Sequence, residues 1–276
     1  MSYADIIFKQ NCRDIIDNGV WDTNLDVRPH WEDGTKAHTV KKFCIVNRYD
    51  LSKEFPILTI RRTAFKSAID EILWIWQKKS NNVHDLNSHI WDSWSDETGS
   101  IGKAYGYQLA KKSIYKEGEF DQVDRVLYDL KHNKASRRIM TNIYNFEDLH
   151  EMHLYPCAYS MTFNVTGNKL NGILNQRSND VLTANNWNVV QYAVLIHMFA
   201  QVSGLEVGEL VHVISDAHIY DRHVPLVEKI LKNPEYPAPK FIMNKDVKNF
   251  YDFTVDDFKL EDYNFTKLEE KIEVAI

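Results

Sequence analysis

The chain of 276 residues has a formal net charge of −6, a sequence pI of about 6.0 and 44% hydrophobic residues. The acidic balance argues against a general affinity for the phosphate backbone, so no obligatory nucleic-acid partner is expected, and the apolar fraction suffices for a large core. Its three cysteines, Cys12, Cys44 and Cys157, contain no C-x-x-C pair, which excludes a cysteine-based zinc site. We predict reduced thiols in a cytoplasmic protein, without a signal peptide or an apolar run long enough to span a membrane.

Three segments have the apolar spacing of helices. Residues 62–80 predict an amphipathic helix, with Glu71 close to its apolar side. A second helix is predicted over 121–133, where Asp121 can cap the first turn. The segment from Asn186 to Gly204 is apolar nearly all round, which is typical of a buried central helix that ends at a glycine.

The strand-like segments are rich in branched and aromatic residues. They lie at 137–145, 158–167, 169–180 and 209–223, with a hairpin turn at 166–169. The proline-punctuated stretch 232–240 is predicted as a loop, and residues 250–265 as short extended segments. Because no repeat or linker divides the chain, we predict one domain over residues 1–276, of α/β class (α+β type), with helices packed on a large mixed β-sheet.

Cys157 is the first candidate for chemistry. It follows Tyr155 and Pro156, and a proline there predicts the start of a strand, at which the direction of the next side chain is fixed. A free cysteine is most often a buried, inert thiol, and that alternative stays open. Arg177 would stabilise the thiolate if the two strands are neighbours, although a structural ion pair between Arg177 and Asp180 is the simpler interpretation.

A second group of candidates has the residue types of a polar site that binds a nucleoside. Asp216, His218 and Tyr220 alternate along a strand pattern, so their side chains share one face, and His218 with Tyr220 suits a sugar hydroxyl. Asn188 at the start of the central helix is either an N-cap or a carboxamide that reads the amide edge of a pyrimidine. The remaining histidines lack metal-ligand spacing, so we predict no metal.

The segments "LYPC", "QRSND", "SDAHIY" and "SRR", together with Asn188, resemble the motifs of the thymidylate synthase family in their order along the chain. Further matches run from "FPILT" to the C-terminal "VAI", over nearly the full length. The resemblance implies a homodimer that packs through one face of its sheet. It also implies methylation of deoxyuridine monophosphate (dUMP) to thymidylate (dTMP), with 5,10-methylenetetrahydrofolate as the carbon and hydride donor.

The resemblance assigns a role to each motif residue. Cys157 would add to C6 of the pyrimidine, Glu71 and Tyr105 would assist proton transfer, and Asn188 would read the uracil edge. The predicted nucleotide contacts are Arg28, Gln176, Arg177, Ser178, His218 and Tyr220, with Arg137 and Arg138 contributed to the site of the other subunit. The predicted folate contacts are Trp91, Trp94, Asp180, which is also placed among the catalytic residues, Ala184 and the C-terminal Ile276.

The chain also departs from the family pattern. "TANNWN", at 183–188, stands where Leu-Gly-x-Pro-Phe-Asn is usual, so Ala184 adds a Cβ and loss of the proline is expected to loosen the loop. Ala158 replaces a histidine that often follows the nucleophile.

Three alternative functions are weighed against the synthase. A pyrimidine nucleotide (dUMP or dCMP) hydroxymethylase would capture the methylene intermediate with water, whereas Trp91, the "VAI" tail and Asn188 favour the synthase. A silent nucleotide-binding or RNA-binding paralogue would not need Cys157 and Glu71 together. A cysteine hydrolase would need a base histidine near Cys157, which the sequence does not clearly supply.

Overall fold

The computed structural model describes residues 1–276, with six α-helices and eleven β-strands. The helices are α1 (Tyr3–Asn18), α2 (Phe65–Trp76), α3 (Gly106–Ala110), α4 (Gln122–His132), α5 (Asn185–Val202) and α6 (Val224–Ile230). The strands are β1 (Val20–Trp21), β2 (Thr39–Asp50), β3 (Ser113–Tyr115), β4 (Gly118–Phe120), β5 (Met140–Asn142), β6 (Ala158–Thr166), β7 (Lys169–Gln176), β8 (Asn179–Asp180), β9 (Glu206–Tyr220), β10 (Lys240–Met243) and β11 (Phe258–Glu261).

Seven strands form one mixed sheet in the order β1-β2-β9-β7-β6-β5, with β8 alongside β9. β9 runs antiparallel to β2 and parallel to β7 and β8, while β6 pairs antiparallel with both β7 and β5. The 15-residue strand β9 therefore lies at the centre of the sheet. Its C-terminal residues after Ile214, which include polar side chains, extend beyond the end of β7. The hairpins β3-β4 and β10-β11 lie outside this sheet.

The helices cover one face of the sheet. α5 contacts β7, β9 and α2, and its surface is apolar nearly all round, which explains why it is buried between sheet and helix. α1 packs on β2 and β9. A single cluster of 60 buried residues fills the space between these layers. None of the six helices combines the length and the hydropathy needed to cross a bilayer.

The opposite face of the central strands carries a mixed, partly apolar surface. Val46 lies opposite Val213, and Ile173 lies opposite Val211, so these four side chains share that face. Val46 and Ile173 are 52% and 39% exposed, respectively. The sheet thus buries one face under helices and leaves the other available.

The predicted elements are largely confirmed. α2, α4 and α5 lie within two or three residues of the predicted bounds at most ends, Asp121 accepts a hydrogen bond from the backbone N–H of Asp124, and Gly204 follows α5 with φ +64°. The mixed sheet and the turn between β6 and β7 are also confirmed.

Several regions differ from the predictions, and the short elements α3, α6, β1, β3 and β4 were not predicted. α1 and β2 were not predicted, and the strand expected at 137–145 is only the short β5. Residues 250–257 form two 3₁₀ turns rather than extended chain, because Asn249 caps the first and Thr254 and Asp257 form a capping box at the second.

Candidate active site

A deep cleft opens beside the ends of β7, β8 and β9, and Cys157 lies at its middle. One half has a volume of about 500 Å³ and the other about 340 Å³. Cys157, Gln176 and Asn188 line both halves. The polar half holds Arg28, Arg177, Ser178, Asp216, His218 and Tyr220, and the aromatic half holds Glu71, Trp91, Tyr105, Trp187, Gln191 and Tyr192.

The Cys157 thiol lies beside a guanidinium. It directly precedes β6, whose pairing with β7 places Arg177 next to it, so the predicted neighbouring strands are confirmed. The Arg177 side chain donates to the backbone carbonyls of Pro156 at 3.1 Å and Tyr155 at 2.8 Å, and its Nη2 lies 3.7 Å from the Cys157 Sγ. The cation is thereby fixed against the sulfur rather than free in solvent.

The pKa of the Cys157 thiol is nevertheless raised. Burial disfavours the thiolate and is the largest effect, whereas the charges of Arg177 and Arg28 oppose it. Arg177 stabilises the thiolate, as predicted, but its charge and that of Arg28 do not outweigh the effect of burial on this pKa. Before reaction Cys157 is therefore a thiol, and the charges of the two arginines lower the free energy needed to form its thiolate.

A chain of carboxamides crosses the floor of the cleft. Gln176 Nε2 donates to Asn188 Oδ1 at 3.0 Å, and Asn179 Nδ2 donates to Gln176 Oε1 at 2.9 Å. His212 also contacts Gln176 Oε1, and burial lowers the pKa of this histidine to about 3, so the neutral ring must donate. These bonds fix which way the Asn188 amide points.

Asn188 is not an N-cap. α5 begins at Asn185 with Ala184 in the capping position, which puts Asn188 inside the first turns of the helix. Its side chain lines the cleft instead, so the carboxamide alternative is the one that the geometry permits.

Asp216, His218 and Tyr220 line the polar half together, which confirms that they share one face of β9. His218 Nδ1 lies 2.9 Å from Asp216 Oδ1, and Lys41 lies 3.3 Å from the other carboxylate oxygen. Burial works against ionisation of Asp216, but the contacts with His218 and Lys41 lower the pKa of this carboxyl on balance. Burial raises the pKa of Tyr220 to about 12, so its hydroxyl remains a donor.

Glu71 is the buried acid of the aromatic half, with only 6% of its surface exposed. Burial raises the pKa of its carboxyl to about 7, and hydrogen bonds from Trp187, Trp91 and Gln191 oppose the rise. The Trp187 Nε1–H donates to Glu71 Oε2 at 2.7 Å. Both protonation states are accessible near neutral pH, as a group that exchanges protons requires.

Tyr105 is held in an unusual backbone conformation, with φ +45°. Its hydroxyl accepts a hydrogen bond from the Cys157 backbone N–H at 3.2 Å. Burial raises the pKa of this phenol well above its ordinary value. A non-glycine residue with positive φ is uncommon and is retained where the surrounding structure compels it, here directly beside the nucleophile.

The aromatic wall is formed by two tryptophans. Trp91 packs edge-on against Tyr105, with ring centroids 4.9 Å apart, and against Trp94 at 5.8 Å. Trp94 lines both halves of the cleft. The C-terminal Ile276 lines the polar half, where its backbone exchanges two hydrogen bonds with His30 at 2.9 and 3.0 Å.

The chain was compared with known proteins. A family model described as "Thymidylate synthase" matches residues 6–276. The thymidylate synthase of Bacillus licheniformis is 48% identical over 268 residues, which cover 95% of this chain and 96% of that protein. The thymidylate synthase of Bacillus phage phi3T is 46% identical over 268 residues, with the same coverage of both chains. The solved structure of thermostable thymidylate synthase A from Bacillus subtilis superposes with a TM-score of 0.94 at 44% identity and covers 99% of each chain.

The chain belongs to the thymidylate synthase family. The resemblance inferred from its motifs is confirmed, as is the mixed-sheet fold. The synthase is favoured over the hydroxymethylase, because the matched relatives and the matched structure are thymidylate synthases.

The family loop at 183–188 is well fixed despite its changes. Asn186, at the usual proline position, donates to Pro56 O at 3.0 Å and accepts from Leu58 N at 3.0 Å and from Thr63 Oγ1 at 2.7 Å. These three buried hydrogen bonds take the place of the proline ring in fixing the chain, and they oppose the loosening predicted from the sequence. Ala184 has φ −104°, a conformation open to any residue, so its Cβ causes no backbone strain.

Asp180 has a local structural role as well as a place in the cleft. Its carboxylate accepts hydrogen bonds from the backbone N–H groups of Leu182 and Thr183 at 2.9 and 3.2 Å and from Thr183 Oγ1 at 2.6 Å. It makes no ion pair with Arg177, so the simple structural pair considered from the sequence is absent.

The two arginines predicted to reach the site of the other subunit lie outside the cleft of their own chain. Arg137 and Arg138 are exposed and line neither half. No group of three or more histidine, cysteine, aspartate or glutamate side chains is placed to hold a metal ion.

Sequence reasoning missed several residues of the aromatic half, among them Trp187, Gln191 and Tyr192. Trp187 replaces the usual phenylalanine of the family loop, and that departure was the available signal. Gln191 lies three residues after Asn188 on α5, a spacing that places two side chains on one helix face.

Proposed function

We propose that this chain converts dUMP to dTMP by covalent addition of Cys157 to C6 of the pyrimidine, with 5,10-methylenetetrahydrofolate as co-substrate and dihydrofolate as the second product. The observation that carries the proposal is the juxtaposition in one cleft of a thiol 3.7 Å from a guanidinium and a buried carboxyl with a pKa of about 7. A protein that only binds a nucleotide has no need of either group.

The polar half would hold the nucleotide. Arg28, Arg177 and Ser178 line the part of the cleft suited to a phosphate dianion, because guanidinium groups bind phosphate in bidentate fashion. His218 and Tyr220 would hold the ribose 3′-hydroxyl, with His218 oriented by Asp216.

The carboxamide chain would read the base. The second N–H of the Asn188 amide is left to donate to the uracil edge, because its Oδ1 accepts from Gln176 and its first N–H donates to Gln191. Cytosine presents the opposite donor and acceptor pattern at this edge, and an unpaired buried amide costs about 1–3 kcal/mol. The fixed amide therefore supports selection of uracil.

Addition makes C5 reactive. The Cys157 sulfur forms a bond to C6, and the electron pair of the C5–C6 double bond moves toward the C4 carbonyl, which leaves C5 enolate-like. C5 attacks the methylene carbon of the folate, and one of the two bonds that join this carbon to folate nitrogens breaks, with a proton going to the released nitrogen. Removal of the C5 proton then expels tetrahydrofolate, which returns a hydride to the exocyclic methylene as Cys157 departs from C6.

Glu71 and Tyr105 would serve the proton transfers of this sequence. A carboxyl whose pKa lies near neutral can release and accept a proton during one turnover. The Tyr105 hydroxyl lies at the Cys157 backbone and stays protonated, so it can orient water or the departing proton near C5.

The aromatic half would receive the folate. Trp91 and Trp94 offer ring faces for stacking. Asp180, proposed as an acceptor for the N–H groups of the pterin, and the C-terminal Ile276 line the polar half, while Ala184 lines both halves, so the folate would have to reach toward the polar half to meet them. Closure of the tail that ends at Ile276 would keep water from the methylene intermediate.

A homodimer would complete the site. Arg137 and Arg138 lie away from their own cleft, so their proposed role is in the phosphate site of the partner subunit. The open face of the sheet, which carries Val46 and Ile173, supports packing through that face.

Two further expectations remain proposals. The single cluster of 60 buried residues supports one catalytic domain over residues 1–276. The three unpaired cysteines support a reducing, cytoplasmic location.

A product assay tests the activity. Purified protein is mixed with dUMP and 5,10-methylenetetrahydrofolate, dihydrofolate is followed optically, and the nucleotide product is identified by mass. We expect dTMP and dihydrofolate in equal amounts. Hydroxymethyl nucleotide without dihydrofolate would instead assign the hydroxymethylase reaction, and nucleotide binding without turnover would assign a silent paralogue.

A further inference from the structure

Gln191 connects the acid of the aromatic half to the carboxamide that faces the base. It lies on α5 and is only 1% exposed. Its Oε1 accepts a hydrogen bond from Asn188 Nδ2 at 3.0 Å, while its buried Nε2 makes no hydrogen bond of ordinary geometry. Gln191 lines the aromatic half together with Glu71, whose carboxylate it helps to stabilise. A buried amide donor without a partner is costly, so this orientation needs the carboxyl.

Trp187 supplies the second connection. The same first turns of α5 direct its indole N–H to Glu71 Oε2 at 2.7 Å, a short distance for a neutral donor to a carboxylate. A phenylalanine, the usual residue at this family position, has no donor to offer. Ala158, which lines the same half, also has no polar group where a histidine often stands.

We propose that Trp187 and Gln191 are positioning residues that hold the Glu71 carboxyl and couple it to the Asn188 carboxamide. The proposal rests on the synthase activity proposed above. It predicts that proton transfer by Glu71 and recognition of the base depend on one another through Gln191.

The other ionisable groups around Glu71 leave its titration distinct. Tyr105 and Tyr192 face it from α3 and α5, and burial raises the pKa of both phenols, so they remain neutral. Burial also raises the pKa of the Cys157 thiol. Asp70, the neighbouring acid on α2, adds a repulsion that raises the Glu71 pKa, and its carboxylate is occupied by Asn87.

Trp187→Phe isolates the indole donor. Removing a hydrogen bond to the carboxylate raises the pKa of Glu71. For a hydrogen bond of ordinary strength to a charged group, the midpoint of the kcat profile against pH should move up by about one pH unit. Trp74→Phe is the matched control, because Trp74 is a buried tryptophan of α2 whose N–H donates to Asn82 O at 2.9 Å. It should lose stability without moving the pH profile.

Gln191→Met removes both amide contacts at nearly constant volume. We expect a similar upward shift and, unlike in Trp187→Phe, a KM for dUMP that rises several-fold as Asn188 loses its acceptor. Folded variants with an unchanged pH profile would overturn the proposal, even if they were less stable or slower. So would a Gln191→Met enzyme whose KM for dUMP is unchanged.

An infrared titration provides a readout that does not need turnover. The protonated carboxyl band of Glu71 is identified by subtracting the spectrum of Glu71→Gln, and its midpoint is measured in wild type, Trp187→Phe and Gln191→Met. Midpoints shifted upward in both variants support the proposal, and identical midpoints contradict it. An inactive wild type would count against the proposed function, whereas these midpoints test the positioning residues alone.

Discussion

The two halves of the cleft treat charge in opposite ways. In the polar half, Arg28 is exposed and the Asp216 carboxyl is kept ionised by His218 and Lys41. In the aromatic half, Glu71 is 6% exposed and burial raises its pKa to about 7. Permanent charges suit the binding of a dianion, and a carboxyl that changes state suits proton transfer. Cys157 lies where the two environments meet.

Cys157→Ser should have the largest effect, since both halves serve this one sulfur. We expect turnover to fall by at least about 10³-fold, as for other enzymes that lose their nucleophile. Binding of dUMP, measured by calorimetry, should change little because the polar half is intact. Cys44→Ser is the control, since that thiol is exposed and outside the cleft, and a comparable loss there would refute the assignment.

Glu71→Gln should act mainly on proton transfer. We expect kcat to fall about 10²-fold to 10⁴-fold, the range for a group that transfers protons, with at most a several-fold loss of dUMP affinity transmitted through Gln191 to Asn188. The dependence of kcat on pH near 7 should also disappear. Loss of dUMP binding with an unaltered pH profile would mean that the acid belongs to nucleotide recognition.

The same substitution should change how stability depends on pH. The folded pKa of Glu71, about 7, lies above its ordinary value of 4.5, so the folded state binds more protons between these values. The free energy of unfolding contributed by this group is therefore present below about pH 4.5 and declines as pH rises to about 7, by up to about 3 kcal/mol. Chemical denaturation of wild type and Glu71→Gln at pH 5 and pH 8 should show the variant gaining relative stability at pH 8.

Arg28→Ala should weaken the polar half. Loss of one charged contact to a phosphate at an exposed site should raise the Kd for dUMP about tenfold, with kcat at saturation nearly unchanged. Arg13→Ala is the matched control, because that arginine pairs with Glu228 on another surface. Equal effects of the two substitutions would show that general charge, rather than the site, attracts the nucleotide.

Asn186→Ala should have the smallest effect on chemistry. Its three buried hydrogen bonds anchor the start of α5, so we expect a loss of about 1–3 kcal/mol of unfolding free energy. Asn164→Ala, at an exposed position of β6, should be close to neutral. A flexible loop without loss of stability would restore the expectation that the missing proline matters.

Local sequence patterns were sufficient for some elements and insufficient for others. α4 and α5 follow from apolar spacing and end signals, and the shared face of Asp216, His218 and Tyr220 follows from strand alternation. β2 was missed because its lysines and arginine interrupt the strand pattern, whereas α1 was missed although Phe8, Cys12 and Ile15 follow helical apolar spacing.

The chemical state of the site depends on tertiary contacts. The pKa values of Glu71 and Cys157 are set by the burial that distant segments provide, and the position of Gln191 matters only because α2 brings Glu71 to it. The motifs predicted which residues converge at the cleft. They could not predict that the aromatic half would hold its acid through Trp187.

Covalent addition by Cys157 is tested most directly by mapping the adduct. The enzyme is denatured with acid during turnover, digested, and analysed by mass spectrometry for peptides that carry the nucleotide. The account predicts one modified peptide, with the added mass on Cys157 and none on Cys12 or Cys44. Modification of another residue, or steady turnover with no adduct at Cys157 in a quench shown to preserve such adducts, would contradict it.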